Sequence, residues 1–337
     1  MNWTVTRRAA LGAAALAAIA LGTTQARAQA PIEWRFFTYF PVNDKPAQTN
    51  RAFAEDVLKA TNGRLKITVY SAGELPYKAP DVVKAVATNQ VQMGDVAVGF
   101  AAGDVPELNV FSLPFLCTSY DGFHAALGAA APAVDKVLMD RFKVRVAIHW
   151  TMPPQNLWLN RAVGSLDEIK GLKVRTWNPE QVDMLKLLNA ASVSITSAEV
   201  IPALERRVID GAITSALSAA DWKAFDIVKN GYMLNFTMGH QVTMVNEDQF
   251  RRLPGDIQQV LVAKSAEWAP RYRQMSEEGD KAARTTLAAN GVALRDPSAG
   301  DTARAKTMMR PMWDSWAQKH GEVGRDLLAK SVAGCGG

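Results

Sequence analysis

The sequence is poor in the residues that most often carry chemistry. Among its 337 residues there are two cysteines and four histidines. His124, His149, His240 and His320 lie far apart without metal-ligand spacing, and two isolated cysteines make no metal site. There is no H-E-x-x-H, no G-x-S-x-G, no phosphate-binding P-loop and no G-x-G-x-x-G following a strand. The forms that announce a metalloprotease, a serine hydrolase or a nucleotide site are therefore missing, and no catalytic residue, metal or cofactor is assigned. Basic runs interleaved with aromatics are missing too, which argues against nucleic acid. The apolar run from Ala9 to Leu21 is about 13 residues, short of the roughly 20 that a membrane-spanning helix needs.

What that run does have is a pair of arginines ahead of it, Arg7 and Arg8, and the small residues Ala26-Arg27-Ala28 behind it. This is the pattern of a twin-arginine export signal over 1–28, cleaved from a soluble product that works in the periplasm, with Sec export as the alternative because the usual Phe does not follow the arginines. Cleavage would leave 309 residues and remove three arginines and no acids, lowering the formal charge from +5 to +2. That length suits two moderate domains better than one core. Cys117, inside the apolar Leu113-Pro114-Phe115-Leu116-Cys117, reads as a small core residue; a disulfide to Cys335 in an oxidising compartment is the alternative.

Hydrophobic periodicity predicts strands at 32–37, 65–70 and 91–100, with helices over 46–61 and 81–88 between them, and a further strand at 144–148. The alternation resumes with strands at 172–175, 193–195 and 211–214 and helices at 179–188 and 198–206. Strands that alternate with helices imply parallel sheets covered on both faces. A strand at 240–245 follows, then a long helical pattern over 255–290 that Pro270 should kink or divide, and a second amphipathic stretch over 302–328.

One polar cluster stands out, Lys173-Val174-Arg175-Thr176-Trp177-Asn178. Residues two apart share a strand face, so Lys173, Arg175 and Trp177 point one way. Near the carboxyl end of a parallel strand, where open α/β sheets place ligands, an arginine can hold a carboxylate by two charge-assisted hydrogen bonds. A solvated pair of cations on an edge strand fits the same pattern.

An ordered series of segments resembles the DctP-like solute-binding subunits of tripartite ATP-independent periplasmic (TRAP) transporters. It runs through Ile32-Glu33-Trp34-Arg35, Asn62-Gly63-Arg64-Leu65-Lys66-Ile67, Ala72-Gly73-Glu74-Leu75, Val91-Gln92-Met93-Gly94-Asp95 and Leu113-Pro114-Phe115-Leu116. Its most specific parts are Asp167-Glu168-Ile169-Lys170-Gly171-Leu172-Lys173-Val174-Arg175, Ala198-Glu199-Val200-Ile201-Pro202-Ala203-Leu204 and Val208-Ile209-Asp210-Gly211-Ala212. The resemblance implies an α/β, two-lobed periplasmic binding protein of type II-like architecture, each lobe a sheet flanked by helices, joined by a hinge and a long spanning helix. It places lobe I at 29–153 plus about 240–270, lobe II at 154–239 plus about 290–337, and the spanning helix at about 255–290. It implies that Arg175 holds a substrate carboxylate, that closure presents the complex to TRAP membrane permease subunits, and that an ion gradient drives uptake. Some relatives dimerise through the C-terminal helix, so a homodimer stays open here.

Two departures from the family pattern bear on the ligand. A second arginine common in relatives is replaced by Pro153-Pro154-Gln155-Asn156, and an expected asparagine is absent from Asp210-Gly211-Ala212-Ile213-Thr214-Ser215. Fewer polar charges suggest a monocarboxylate with an apolar or aromatic body, for which Trp150, Trp158, Trp177 and Trp222 could supply walls. Tyr39 and Phe40 end the first strand, Gln155 lies at the crossing, and Thr214 and Ser215 offer hydroxyls in place of the amide. His149 and His240 stand at strand ends, where a side chain can face a cleft, and His240 joins the ligand-binding candidates. The competing readings are a cell-envelope enzyme acting on a small carboxylate and a binding protein serving a sensor kinase.

Overall fold

The computed structural model describes residues 30–335, so the export signal falls outside the described residues. The first lobe begins with β1 (Ile32–Thr38), α1 (Lys45–Ala60), β2 (Leu65–Tyr70), α2 (Val82–Ala87) and β3 (Met93–Ala97), and continues with α3 (Tyr120–Phe142) and β4 (Val144–Met152). The second holds β5 (Gln155–Leu159), β6 (Lys173–Thr176), α4 (Pro179–Leu187), β7 (Ala191–Ser194), α5 (Val200–Glu205), β8 (Gly211–Ser215), α6 (Ala216–Asp221) and β9 (Asn230–Tyr232). The chain then returns through β10 (Gly239–Asn246) and α7 (Glu247–Arg252) to the first lobe and runs along α8 (Gly255–Ala289). It ends with β11 (Ala293–Arg295), α9 (Ala299–Met309), α10 (Pro311–Lys319) and α11 (Gly321–Cys335). No described helix is long and apolar enough to cross a membrane.

The sheets are ordered β2-β1-β3-β10-β4 and β11-β9-β5-β8-β6-β7. Both are mixed and not purely parallel as the alternation implied. β10 runs antiparallel to β3 and β4, and β5 antiparallel to β8 and β9. The reason is the crossing: a strand that enters a lobe from the other lobe arrives at the edge where the parallel strands end, and so must run back. Consequently the carboxyl ends of β1, β3, β6 and β8 and the amino ends of β5 and β10 meet at one seam, where ligands of open α/β sheets bind.

Two extended segments and α8 link the lobes. Gly239 pairs with Met152, and the Gln155 amide donates to the Thr237 carbonyl at 2.8 Å, so the crossing segments brace each other. α8 packs on α1 and β4 in one lobe and on α6 in the other. Pro270 does not divide it. The hydrogen bond lost at proline is outweighed by Trp268 and Tyr272, which bury on either side of it.

Several further elements differ from the sequence expectation. The strand expected to run to Phe100 stops at Ala97 and gives way to a 3-10 turn over Val98–Ala101. Helix α3 was not anticipated, because its Ala-Gly-rich face and internal Pro132 give little amphipathic signal. The stretch over 302–328 is three helices, broken before Pro311 and at Gly321, whose φ of +63° suits glycine. The last of them packs on α3 of the first lobe, whereas α9 lies against α4 of the second. Cys117 is a core residue and also a disulfide partner: it bonds Cys335 across 218 residues of chain, tying α11 down beside α3.

Candidate functional site

At the seam the two lobes enclose a small cavity of about 30 Å³, room for about two waters. Its lining includes Tyr39, Phe40, Gln155, Arg175, Trp177 and Thr214, six of the eight residues singled out in the sequence. The elements explain why they meet: Tyr39 and Phe40 follow β1, Arg175 and Trp177 end β6, Thr214 ends β8, and Gln155 starts β5.

Arg175 is 2% exposed. Its Nε donates to the Ile195 carbonyl at 3.0 Å and its Nη1 to the Ile213 carbonyl at 2.9 Å. Two of five N–H donors are thus spent on backbone, which fixes the guanidinium plane, and three remain. Among the described residues no carboxylate pairs with it, and burial lowers its pKa to about 9, partly offset by Tyr39 and Glu199. A buried cation without a counterion is unfavourable, and an arriving anion relieves it. The Trp222 ring centroid lies 6.0 Å from the guanidinium carbon.

The remaining polar groups are neutral. The Tyr39 hydroxyl donates to Gln241 Oε1 at 3.0 Å, and burial holds its pKa well above the usual value. The Gln155 side-chain Nε2 donates to the Pro153 carbonyl at 2.9 Å, which holds it at the crossing. Ser197 and Ser218 also face the cavity, and Phe40, Phe100, Met152, Trp177 and Trp222 form its apolar walls.

Two candidates stand elsewhere. Ser215 caps α6, its hydroxyl accepting the Ser218 amide at 3.1 Å, and the hydroxyl at the cavity is that of Ser218 one turn later. His240 is fully buried on the opposite face of β10, stacked on His149 with ring centroids 5.4 Å apart and set against Phe111 and Phe123. Strand alternation explains this: adjacent residues face opposite ways, so Gln241 takes the cavity side. Trp150 and Trp158 are core, their indole N–H groups donating to Thr243 and Thr214, while Trp177 and Trp222 are walls. Gln241, Ser197, Ser218 and Phe100 were missed by sequence reasoning. A period-two count from either end of β10 would have offered Gln241 as the alternative to His240; the others carry no local signal.

The lobes also touch outside the cavity. Trp222 Nε1 donates to Asp44 Oδ2 at 3.0 Å, Lys78 pairs with Glu199 at 3.2 Å, and Asn109 Nδ2 donates to Glu180 at 3.1 Å. Burial raises the pKa of Asp44 to about 8 and that of Glu180 to about 7. Gly99 of the first lobe lies so close to the second that a Cβ there would stand 2.6 Å from Trp177 Cζ3.

This two-lobed arrangement has close structural relatives. DctP7 of Bordetella pertussis, an extracytoplasmic solute receptor solved with pyroglutamic acid, superposes with a TM-score of 0.85 at 27% identity, covering 89% of this chain and 99% of that one. DctP6 of the same organism, also solved with pyroglutamic acid, gives 0.85 at 28% identity with the same coverage. In sequence the chain is 23% identical over 302 residues to the C4-dicarboxylate-binding periplasmic protein DctP of Rhodobacter capsulatus, 87% of this chain and 88% of that one. The family model described as DctP, bacterial extracellular solute-binding protein, family 7, matches residues 38–319. The chain accordingly belongs to the DctP family of extracellular solute-binding proteins, the solute receptors of TRAP transporters.

Proposed function

We propose that this chain captures a small monocarboxylate with a flat, mostly apolar body carrying a neutral hydrogen-bonding group, pyroglutamate being the leading candidate, and hands it in the periplasm to a TRAP permease. The observation that carries this reading is Arg175, a buried cation with its guanidinium plane fixed, three donors left over and no counterion among the described residues. In the reading it takes the carboxylate through two parallel hydrogen bonds. Among the described residues one cation faces the cavity, so a second carboxylate would be buried without a partner, which disfavours C4-dicarboxylates. Gln155, Gln241 and Tyr39 serve a lactam or hydroxyl, with Thr214 and Ser218 beside them, and Phe40, Trp177 and Trp222 cover the body. The two Bordetella receptors solved with pyroglutamic acid support the ligand class.

Arg175 is buried at the closed seam, so entry requires the lobes to part and binding closes them around the guest. A thermal-shift panel of organic acids tests the reading. Pyroglutamate and other compact monocarboxylates should raise Tm with concentration while succinate leaves it unmoved; stabilisation by succinate with none from monocarboxylates would reject it.

A further inference from the structure

A second cavity lies against the first along the seam, about 600 Å³ in volume and more open to solvent. Its walls include Pro80, Val182 and Ile195, with the Lys78–Glu199 pair also in its lining. The two cavities have Phe100 and Trp177 in common. One ring comes from each lobe, Phe100 from the turn after β3 and Trp177 from the end of β6, and their centroids are 5.7 Å apart at 41°. Phe100 is braced edge-on by Tyr39 at 5.3 Å. Trp177 is held at its root, its amide donating to Gln181 Oε1 at 3.0 Å, and its ring lies over Gly99, where no side chain obstructs it.

The residue after Trp177 is held as well. Asn178 is 3% exposed and lines that cavity. Its Oδ1 accepts the Gln181 amide at 2.8 Å and caps α4, while its Nδ2 has no partner. That nitrogen is shut off from solvent, and the helix cap fixes Asn178 beside the rings.

We propose that Phe100 and Trp177 form a partition, one ring per lobe, that restricts this receptor to short acids, and that the outer cavity is a latent second subsite for the far end of an elongated monocarboxylate. The proposal rests on the reading that Arg175 anchors the carboxylate. With the anchor fixed, ligand length is set by the first obstacle along the seam, and that obstacle is the ring pair. Removing one ring joins the small cavity to one twenty times its volume.

The test is calorimetric titration of the wild type, Trp177→Ala and Phe100→Leu with straight-chain monocarboxylic acids of four to eight carbons bearing a terminal amide. Trp177→Ala should raise the affinity ratio of the eight-carbon to the four-carbon acid at least tenfold, and Phe100→Leu should raise it by a smaller factor. A ratio that stays at its wild-type value in both variants, while the short acid still binds and still depends on Arg175, would overturn the partition alone. If no acid binds the wild type or either variant, the anchoring reading fails and the partition with it. Phe100→Leu, which keeps an apolar side chain, guards against a Trp177→Ala protein that does not fold.

Discussion

Replacing Gly99 by alanine tests whether ligand capture requires the lobes to shut as tightly as they do here. The added Cβ would lie 2.6 Å from Trp177 Cζ3 and 2.7 Å from Asn178 Cβ, both across the seam and roughly 1 Å inside ordinary contact. The three nearest atoms all belong to the second lobe, so the strain they cause belongs to the closed arrangement and is relieved when the lobes part. Overpacking of this kind costs about 1–3 kcal/mol. Charged entirely against closure, that weakens ligand binding by roughly 5- to 150-fold. Calorimetry with pyroglutamate on the wild type and Gly99→Ala measures it, and circular dichroism confirms the variant is folded. A Kd within twofold of wild type would refute the reasoning, because it would mean that the bound state leaves a gap where Gly99 and Trp177 touch.

Other outcomes follow from the same geometry. Gln241→Ala should weaken binding by about two- to tenfold, the value of one lost hydrogen bond, while His240→Phe should leave affinity unchanged; titrations of both variants check the assignment. Burial raises Asp44 to about 8 and Asp95 and Glu180 each to about 7, whereas carboxyls in an unfolded chain titrate near 4. The native protein therefore binds more protons across that window, so these groups make stability fall as pH rises from about 4 to about 8. Asp44→Asn should flatten that decline in a Tm-versus-pH series, most visibly between pH 7 and 8. His240, held neutral by burial, acts in the opposite direction below about 6.5 and should be unaffected by that change. Reducing Cys117–Cys335 should cost about 2–5 kcal/mol in denaturant unfolding, given the long loop it closes.

The strands at the seam were legible because their side chains alternate cleanly. Leu65–Tyr70 was placed to the residue, whereas the position of Arg175 at a strand end left a ligand site and a solvated edge equally open, and the family resemblance singled it out. The errors have physical causes. Period two says that His240 and Gln241 face opposite ways but not which face meets the other lobe, and that face is decided by strand order, a long-range property. Ser215 was drawn off as a helix cap because a serine that precedes a helix satisfies its free amides. Phe100 lay hidden because a strand pattern ran on into a 3-10 turn. β5 and α3 went unseen: the one is five wholly buried residues without alternation, the other a small-residue helix without an apolar stripe.

The measurement that bears most directly on the site is calorimetric titration of pyroglutamate into the wild type and into Arg175→Ala under identical conditions. Truncating one partner of a buried, hydrogen-bonded charge pair costs about 2–5 kcal/mol, so affinity should fall by roughly 30-fold or more while the variant stays folded. Binding of equal strength to both proteins would contradict the claim that this guanidinium receives the ligand's carboxylate.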